Sequence, residues 1–180
     1  MQNPFTILIL ILSSTTLLAQ HKHDAIASDS TKKSIPAEVH AQIGKAHLML
    51  HYYSPAVRNR TIWGGLVTYG EVWVTGAHWA TNLETDHALV FGDTVLEPGK
   101  YALFTIPGKQ SWQFIINKKW DQHLADEYDA KDDVFRLTIK PKKDKHFERL
   151  TYAISEVNEH EGILTMNWEK LKIEIPFAIQ

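Results

Sequence analysis

Residues 170–177 read Lys-Leu-Lys-Ile-Glu-Ile-Pro-Phe, and this stretch decides the fold class. Its apolar side chains Leu171, Ile173 and Ile175 alternate with Lys172 and Glu174. A period of two places the apolar side chains on one face of an extended chain and the charged ones on the other. The stretch therefore predicts a half-buried β-strand.

The same alternation recurs on the N-terminal side of this stretch, in residues 162–168, 149–155, 134–140 and 112–117. Residues 101–106 are apolar on both faces, which is typical of a strand in the middle of a stack. Many short strands without an amphipathic helix of normal length indicate an all-β protein. We expect a two-sheet antiparallel β-sandwich of about 8–10 strands with Greek-key or jelly-roll connections.

Turn residues support this interpretation. Residues 97–100 and 106–109 both carry Pro followed by Gly at their centre, as in a type II turn. Gly92-Asp93 separates two short apolar runs and predicts a tight hairpin. Two connections, residues 54–70 and 118–133, are longer than ordinary turns, and long loops on a rigid scaffold often carry function. We expect one short helix in the second, around residues 121–127.

The N-terminal region predicts export. Residues 5–18 are uncharged and mostly apolar, and they end at Leu17-Leu18-Ala19-Gln20, a pattern typical of a signal peptide over residues 1–19. A membrane anchor is the alternative, but the strictly apolar part is too short to span a bilayer. Residues 20–37 read as a flexible polar leader and residues 38–180 as a single domain. We expect a periplasmic or extracellular protein without a stable membrane anchor.

Composition narrows the classes of function. The chain has 180 residues, a formal net charge of -2 and no Cys. This length fits one domain, and the charge lacks the basic excess of a nucleic-acid-binding protein. The absence of Cys excludes disulfides and thiol nucleophiles. We find no Gly-x-Ser-x-Gly elbow and no His-Glu-x-x-His motif either.

A series of motifs runs through the domain in a fixed order. It comprises Tyr53-Ser54-Pro55, Arg-Thr-Ile-Trp-Gly-Gly-Leu-Val at residues 60–67, Tyr-Gly-Glu-Val-Trp at residues 69–73, the Pro-Gly-Lys-Tyr segment from residue 98, and Trp168-Glu169. With these motifs the chain resembles a family of exported bacterial proteins, domain of unknown function 2911. The resemblance covers about residues 38–176. It implies a shared fold unit and no particular activity.

Two segments depart from the family pattern. Where the pattern usually reads Trp-Arg-Thr-Gly-Ala-Asn-Glu-Ala-Thr, residues 73–81 place Val74, His78 and Trp79 at the Arg, Asn and Glu positions. A second cluster of changes lies at residues 123, 124 and 126, where the family tends to show Trp, Gly and Tyr. If these segments form the family's site, this chain has a different site or has lost it.

Ten His residues raise the question of a metal site. His47 and His51 share one face of a predicted strand, but four steps of about 3.3 Å separate them by roughly 13 Å, too far to share one ion. Half-exposed strand histidines are the favoured interpretation. We expect neither a metal site nor a cofactor.

Arg58 and Arg60 are two of only four Arg in the chain and lie in the first long loop. A guanidinium group binds carboxylates or phosphates and stacks on rings. Arg60 either pairs with a carboxylate such as Glu71 or Asp121 to fix the loop, or it binds an anionic ligand. Both roles predict partial burial.

The six Trp residues divide into two groups. Four of them lie where apolar and polar residues alternate, and this pattern predicts that their side chains lie in the core: Trp63, Trp73, Trp112 and Trp168. Trp79 and Trp120 lie among polar residues, where an exposed ring suits stacking on sugars or peptides. The alternative is that each covers one end of the sandwich.

These observations favour a non-catalytic binding or accessory module for a small molecule, glycan or peptide. We expect its site to contain Tyr53, Arg60, Trp73, His78, Asn117 and Trp120. The alternative is an exported hydrolase or lyase that uses His78 or His123 as acid/base while Arg60 holds an anionic substrate. Catalysis requires His78, Arg60 and an acidic partner in one pocket, whereas binding requires an exposed aromatic surface. A third possibility is a scaffold whose polar site was lost, as Val74 in place of Arg suggests.

Overall fold

The computed structural model describes residues 33–180, so the predicted signal peptide lies outside the described residues. Between residues 33 and 180 there are ten strands and one 3₁₀ turn, at Ala130–Asp132. In chain order the strands are β1 (Ser34–Ile43), β2 (Ala46–Pro55), β3 (Thr81–Thr85), β4 (Leu89–Phe91), β5 (Thr94–Leu96), β6 (Gly99–Ile106), β7 (Trp112–Asn117), β8 (Asp133–Ile139), β9 (Lys142–Asn158) and β10 (Glu161–Ile179).

The strands form two antiparallel sheets. The first has the order β1-β2-β3-β6-β7-β8, and the second has the order β5-β4-β10-β9. Neither sheet closes into a barrel. The predicted all-β, two-sheet sandwich is therefore confirmed. Strand β1 begins at Ser34, so the predicted boundary of the leader at residue 37 is wrong and residues 34–37 belong to the first strand.

The core lies between the sheets and is built by alternation. On β2 the side chains of Leu48, Leu50 and Tyr52 are buried while the intervening ones are more exposed, and on β10 the same holds around Ile173 and Ile175. Removing this apolar surface from water is the main driving force of folding. The two inner faces thus provide the core that a chain without disulfides requires.

Strand β10 joins two segments that the sequence predicted as separate strands. Its buried side chains fall on even positions up to Trp168 and on odd positions from Ile173 onward. At the change, Glu169 has a φ of 53°, and the pairing with β9 shifts on both sides of it. This is a β-bulge, and its extra residue keeps both halves of the strand facing the same core.

Of the predicted turns, the hairpin is present and the two type II turns at residues 97–100 and 106–109 are wrong. A type II turn requires a φ of about +80° at its Gly, but Gly99 has an extended φ of 157° and begins β6, and Gly108 has no positive φ. Phe91 pairs with Thr94 across Gly92-Asp93, and Gly92 has a φ of 58°, so the tight hairpin is confirmed. The helix expected at residues 121–127 is wrong, because Leu124 has a φ of 53° that interrupts a helix. Helical geometry occurs later, where the side chain of Asp129 accepts a hydrogen bond from the Lys131 N–H and caps the 3₁₀ turn.

We predict that deleting Glu169 prevents folding, because the deletion turns Ile173 and Ile175 from the core to solvent. The matched variant Glu169→Gly keeps the bulge and suits the positive φ, so its stability should change by less than about 1 kcal/mol. Circular dichroism and chemical denaturation of both variants test this. A folded deletion variant would show that the register can slip.

Candidate functional site

Residues 56–80 connect β2 to β3 without a regular strand, and a cluster of four tryptophans fixes this segment to the sandwich. Trp73 stacks on Trp168 at 5.7 Å with the rings 21° apart, while Trp63 lies 4.8 Å from Trp112 and 5.8 Å from Trp168. Trp112 and Trp168 are buried, and Trp63 and Trp73 are partly buried against the core. The predicted core positions of these four residues are confirmed.

The second irregular segment, residues 118–129, is anchored by Asn117. The side chain of Asn117 is completely buried; its amide nitrogen donates to the Asp129 carbonyl (3.2 Å) and to Asp133 Oδ1 (2.9 Å). Its amide oxygen accepts from the Lys119 N–H (3.0 Å) and from Gln122 Nε2 (3.2 Å). All of these bonds lie within the protein, so Asn117 holds the loop in place.

A second group of bonds fixes the far end of the same loop. The Tyr128 hydroxyl donates to Asp133 Oδ2 (2.7 Å), Arg136 Nε donates to the same oxygen (2.7 Å), and Arg136 also donates to the Tyr128 oxygen (2.7 Å). Burial, followed by the carboxylate of Asp133, raises the pKa of Tyr128 to about 12. Tyr128 therefore remains a neutral donor at physiological pH.

The two irregular segments pair with each other. Ala80 N–H donates to the Gln122 carbonyl (2.9 Å), and Leu124 N–H donates to the His78 carbonyl (2.6 Å). Beneath them lies a small second apolar cluster, formed by Val74, Ala80, Ala102, Phe104 and Ile115. The paired segments thus form a layer over the outer face of β6 and β7.

This layer, the start of β1 and the end of β2 enclose a pocket of about 330 Å³, which we call the cationic pocket. Its polar side chains are Lys33, Ser34, Arg60 and His78, and none of its lining residues is Asp or Glu. Its apolar wall comprises Pro55, Leu66, Val67, Trp73, Val74, Ala77, Leu124 and Trp168. Val74, at the position where the family pattern has Arg, is buried and joins the pocket to the second apolar cluster.

Arg60 differs from the expected pairing with a carboxylate and from the expected partial burial. Its guanidinium donates to the carbonyls of Val57 (3.1 Å) and Ala56 (2.5 Å), and no ion pair joins it to a carboxylate within residues 33–180. The residue is exposed, so the expected pairing with Glu71 or Asp121 and the expected partial burial are wrong. The reason is local: Arg58 and Asn59 have φ values of 50° and 56°, and the resulting turn places the guanidinium over the preceding carbonyls.

His78 connects the pocket to Tyr53. His78 Nε2 lies 2.7 Å from Ser34 Oγ, and its ring meets the Tyr53 ring edge-on at 5.2 Å. Arg60, Trp73 and His78 therefore line one pocket, and Tyr53 borders it.

Asn117 and Trp120 do not line this pocket. Trp120 is exposed, as predicted, and lies 4.2 Å from Lys100 Nζ in a cation–π contact. Sequence reasoning missed Ser34, which was placed in the leader, and Lys33, Leu66 and Leu124. For Leu124 there was a signal, since this chain departs from the family's Gly at that position.

Backbone strain is concentrated around this pocket. Within residues 33–180, six non-Gly residues have positive φ: Arg58, Asn59, Thr75, His78, Leu124 and Glu169. All but Glu169 lie in the two irregular segments, and Glu169 follows Trp168 in the pocket wall. Positive φ is unfavourable for β-branched and bulky residues, and such strain is concentrated at functional sites in proteins.

A separate polar group lies beyond the end of β3. Asp86 accepts from His87 Nδ1 (2.7 Å), from the His47 N–H (2.7 Å) and from His47 Nδ1 (2.9 Å). These bonds, that of His87 first, hold the pKa of Asp86 well below its usual range. His51 contacts Glu38 instead, so His47 and His51 have different partners.

Within residues 33–180, no group of three or more His, Asp and Glu side chains has the arrangement to hold a metal ion. None of the helical segments of the same range has the length and apolar character to cross a membrane.

Fold and site together define a β-sandwich with a loop-walled pocket beside its first two strands. The chain belongs to the family described as Protein of unknown function (DUF2911), whose model matches residues 34–177. No curated protein and no solved structure matches the chain.

We predict that Asn117→Ala lowers the free energy of unfolding by about 2 to 3 kcal/mol, because it leaves buried partners such as Gln122 without hydrogen bonds. Gln113→Ala, which removes a half-buried amide with one hydrogen bond to Thr138 from the same strand, should cost about 1 kcal/mol or less. Chemical denaturation measures both values. Equal effects of the two variants would show that Asn117 is not the anchor of the loop.

The depressed pKa of Asp86 predicts that the free energy of unfolding depends on pH in the acidic range. Because its folded-state pKa is depressed, its contribution is fully present above the unfolded pKa of about 3.9 and is lost as pH falls below it. Asp86→Asn should therefore be less stable than wild type at pH 6, and the difference should shrink towards pH 2. Denaturant midpoints across this range test the prediction, with Asp93→Asn as the control for net charge. A difference that does not change with pH would contradict it.

Proposed function

We propose that this protein is an exported binding module whose cationic pocket holds a small organic anion with an apolar part. The observation that carries the proposal is the composition of the pocket. Lys33, Arg60 and His78 meet there with the Ser34 hydroxyl, and the lining contains no carboxylate. Basic groups without an acidic partner create a positive potential, which favours a bound anion. Export rests on the predicted signal peptide.

Arg60 is suited to recognise such a ligand. A guanidinium has five N–H donors, and here two are bonded to backbone carbonyls. These bonds orient the group, and the other donors are available for a carboxylate or a phosphate. Charge-assisted hydrogen bonds of this kind are roughly twice as strong as neutral ones.

The apolar wall indicates the second part of the ligand. Leu66 and Leu124 belong to the few large apolar side chains that are well exposed within residues 33–180, and both border the pocket. Trp73 and Trp168 add two aromatic rings. Apolar walls with a few convergent polar groups are typical of small-molecule sites, which start at about 300 Å³.

Backbone conformation supports the same site. His78 has a φ of 61° and Leu124 a φ of 53°, and both line the pocket. The family pattern usually has Asn and Gly at these positions, the two residues that best tolerate left-handed backbone. In this chain both positions keep the left-handed backbone, which His tolerates and Leu does not favour, while an imidazole and an isobutyl group are added to the pocket. This exchange argues for a site of altered specificity and against a scaffold that has lost its site.

The geometry gives the hydrolase or lyase alternative less support. That alternative requires an acidic partner beside His78 and Arg60, whereas no Asp or Glu lines the pocket and His123 lies against Trp79 at 5.5 Å. One observation favours a reaction, namely the 2.7 Å between Ser34 Oγ and His78 Nε2. Cleavage of a chromogenic ester by wild type, lost in Ser34→Ala, would support it.

The test is calorimetric titration and thermal unfolding of the purified protein with carboxylates and phosphate esters that carry aliphatic or aromatic tails. We expect one class to bind and to raise the midpoint of unfolding. Arg60→Ala and His78→Asn should each weaken binding by ~10-fold or more. Asn suits the backbone at position 78, so this variant removes the imidazole without adding strain.

Arg58→Ala is the matched control, because it removes a neighbouring exposed Arg that does not line the pocket. Its affinity should equal that of wild type. The proposal is overturned if no anion of the panel binds, or if Arg58→Ala weakens binding as much as Arg60→Ala.

A further inference from the structure

We propose that the outer face of β1, β2 and β3 carries a second site, a groove that binds a neutral saccharide. This outer groove has a volume of about 540 Å³ and is separate from the cationic pocket. It is lined by residues 35–38 of β1, residues 51–53 of β2, and Trp79, Ala80 and Asn82. His78 and Trp79 are neighbours in the chain, but His78 lines the pocket and Trp79 lines the groove.

Trp79 provides the apolar surface of the outer groove. Trp79 is 46% exposed, and it is the more exposed of the two exposed tryptophans within residues 33–180, the other being Trp120. Its ring meets His123 edge-on, and the backbone of residue 79 is bridged to residue 123, so the indole is held in position. An exposed and oriented indole fits the apolar C–H face of a pyranose ring, since the face of an aromatic ring is negative and attracts C–H groups.

The sheet register places three planar polar side chains beside this ring. Glu38 pairs with His51 across β1 and β2, and His51 pairs with Asn82 across β2 and β3. The three side chains therefore form one row across the strands, with a spacing of about 4.8 Å between neighbours. A row of carboxylate, imidazole and amide groups offers donors and acceptors to the hydroxyls of a sugar.

Asn82 has hydrogen-bonding capacity that the protein does not use. Its amide oxygen is buried without a partner, and its amide nitrogen makes one long bond of 3.4 Å to the Ala80 carbonyl. Buried polar atoms in proteins are nearly always bonded, so an unpartnered amide in a groove points to a ligand. Rotation of this side chain towards a ligand breaks only one weak bond.

The chemistry of the lining favours a neutral sugar over other ligands. The groove contains no Lys or Arg, in contrast to the cationic pocket, so it offers nothing to an anion except His51. β1 is the edge strand of its sheet and pairs with β2 on one side only. The groove lies on the face of β1, β2 and β3, where the backbone groups between the strands are bonded within the sheet. On this face recognition comes from side chains, here one indole and the polar row.

The test is titration of the purified full chain with short neutral oligosaccharides of glucose, mannose, galactose and N-acetylglucosamine, followed by tryptophan fluorescence and calorimetry. We expect at least one series to bind. Trp79→Ala should weaken binding by ~10-fold or more, and Asn82→Ala by several-fold. Because Trp79 is exposed, the variant should remain folded, which circular dichroism checks.

Trp120→Ala is the matched control, since it removes the other exposed Trp, which lies outside the groove. It should bind the sugar like wild type, and so should Arg60→Ala, which separates this site from the cationic pocket. The inference is overturned if no oligosaccharide binds, if Trp120→Ala loses as much affinity as Trp79→Ala, or if unrelated peptides bind with equal affinity and compete with the sugar.

Discussion

The packing of four indole rings is the interaction on which the rest of the structure depends. Trp112 comes from the six-stranded sheet, Trp168 from the four-stranded sheet, and Trp63 and Trp73 from the segment between β2 and β3. Each buried aromatic ring removes roughly 150–250 Å² from water, and stacked or edge-on pairs add to this. One cluster thus joins both sheets and fixes a long segment that has no regular strands. Because Trp73 and Trp168 also line the cationic pocket, the core and the candidate site share the same rings.

The sequence predicted most of the fold because alternation reports directly on which face of a strand is buried. It did not predict that residues 162–177 form one strand. The change of phase between Trp168 and Leu171 is visible in the sequence, but a turn and a bulge both produce it. Only the pairing with β9 on both sides of Glu169 distinguishes the two.

The site was predicted in part, and the misses have physical causes. Arg60, Trp73 and His78 meet because all three lie on the irregular segment at residues 56–80. The long loop predicted at residues 54–70 contains Arg60 alone among them. Asn is common in ligand-binding sites, so the sequence alone did not distinguish that role from an anchor. Its hydrogen bonds to Asp133 and Gln122 show that Asn117 is an anchor. The partners of Arg60 are backbone carbonyls, and because every residue has one, the sequence does not identify them. Leu124 reaches the pocket through pairing between two loops, and pairing between irregular segments follows no periodic pattern.

β10 pairs with both β9 and β4, and this double pairing has a consequence for the order of folding. β9 and β10 are joined by a short turn, so their hairpin forms from local contacts. At its far end, however, β10 pairs with β4 through Ala178 and Val90, which lie in opposite halves of the chain. Contacts between distant residues form late, because closing a long loop costs entropy before any contact compensates for it. The four-stranded sheet therefore cannot be completed while residues 178 and 179 are still being synthesised, and until then the apolar inner face of β4 lacks this neighbour. A nascent chain of this protein has to be kept from aggregating at least until residues 178 and 179 have been synthesised.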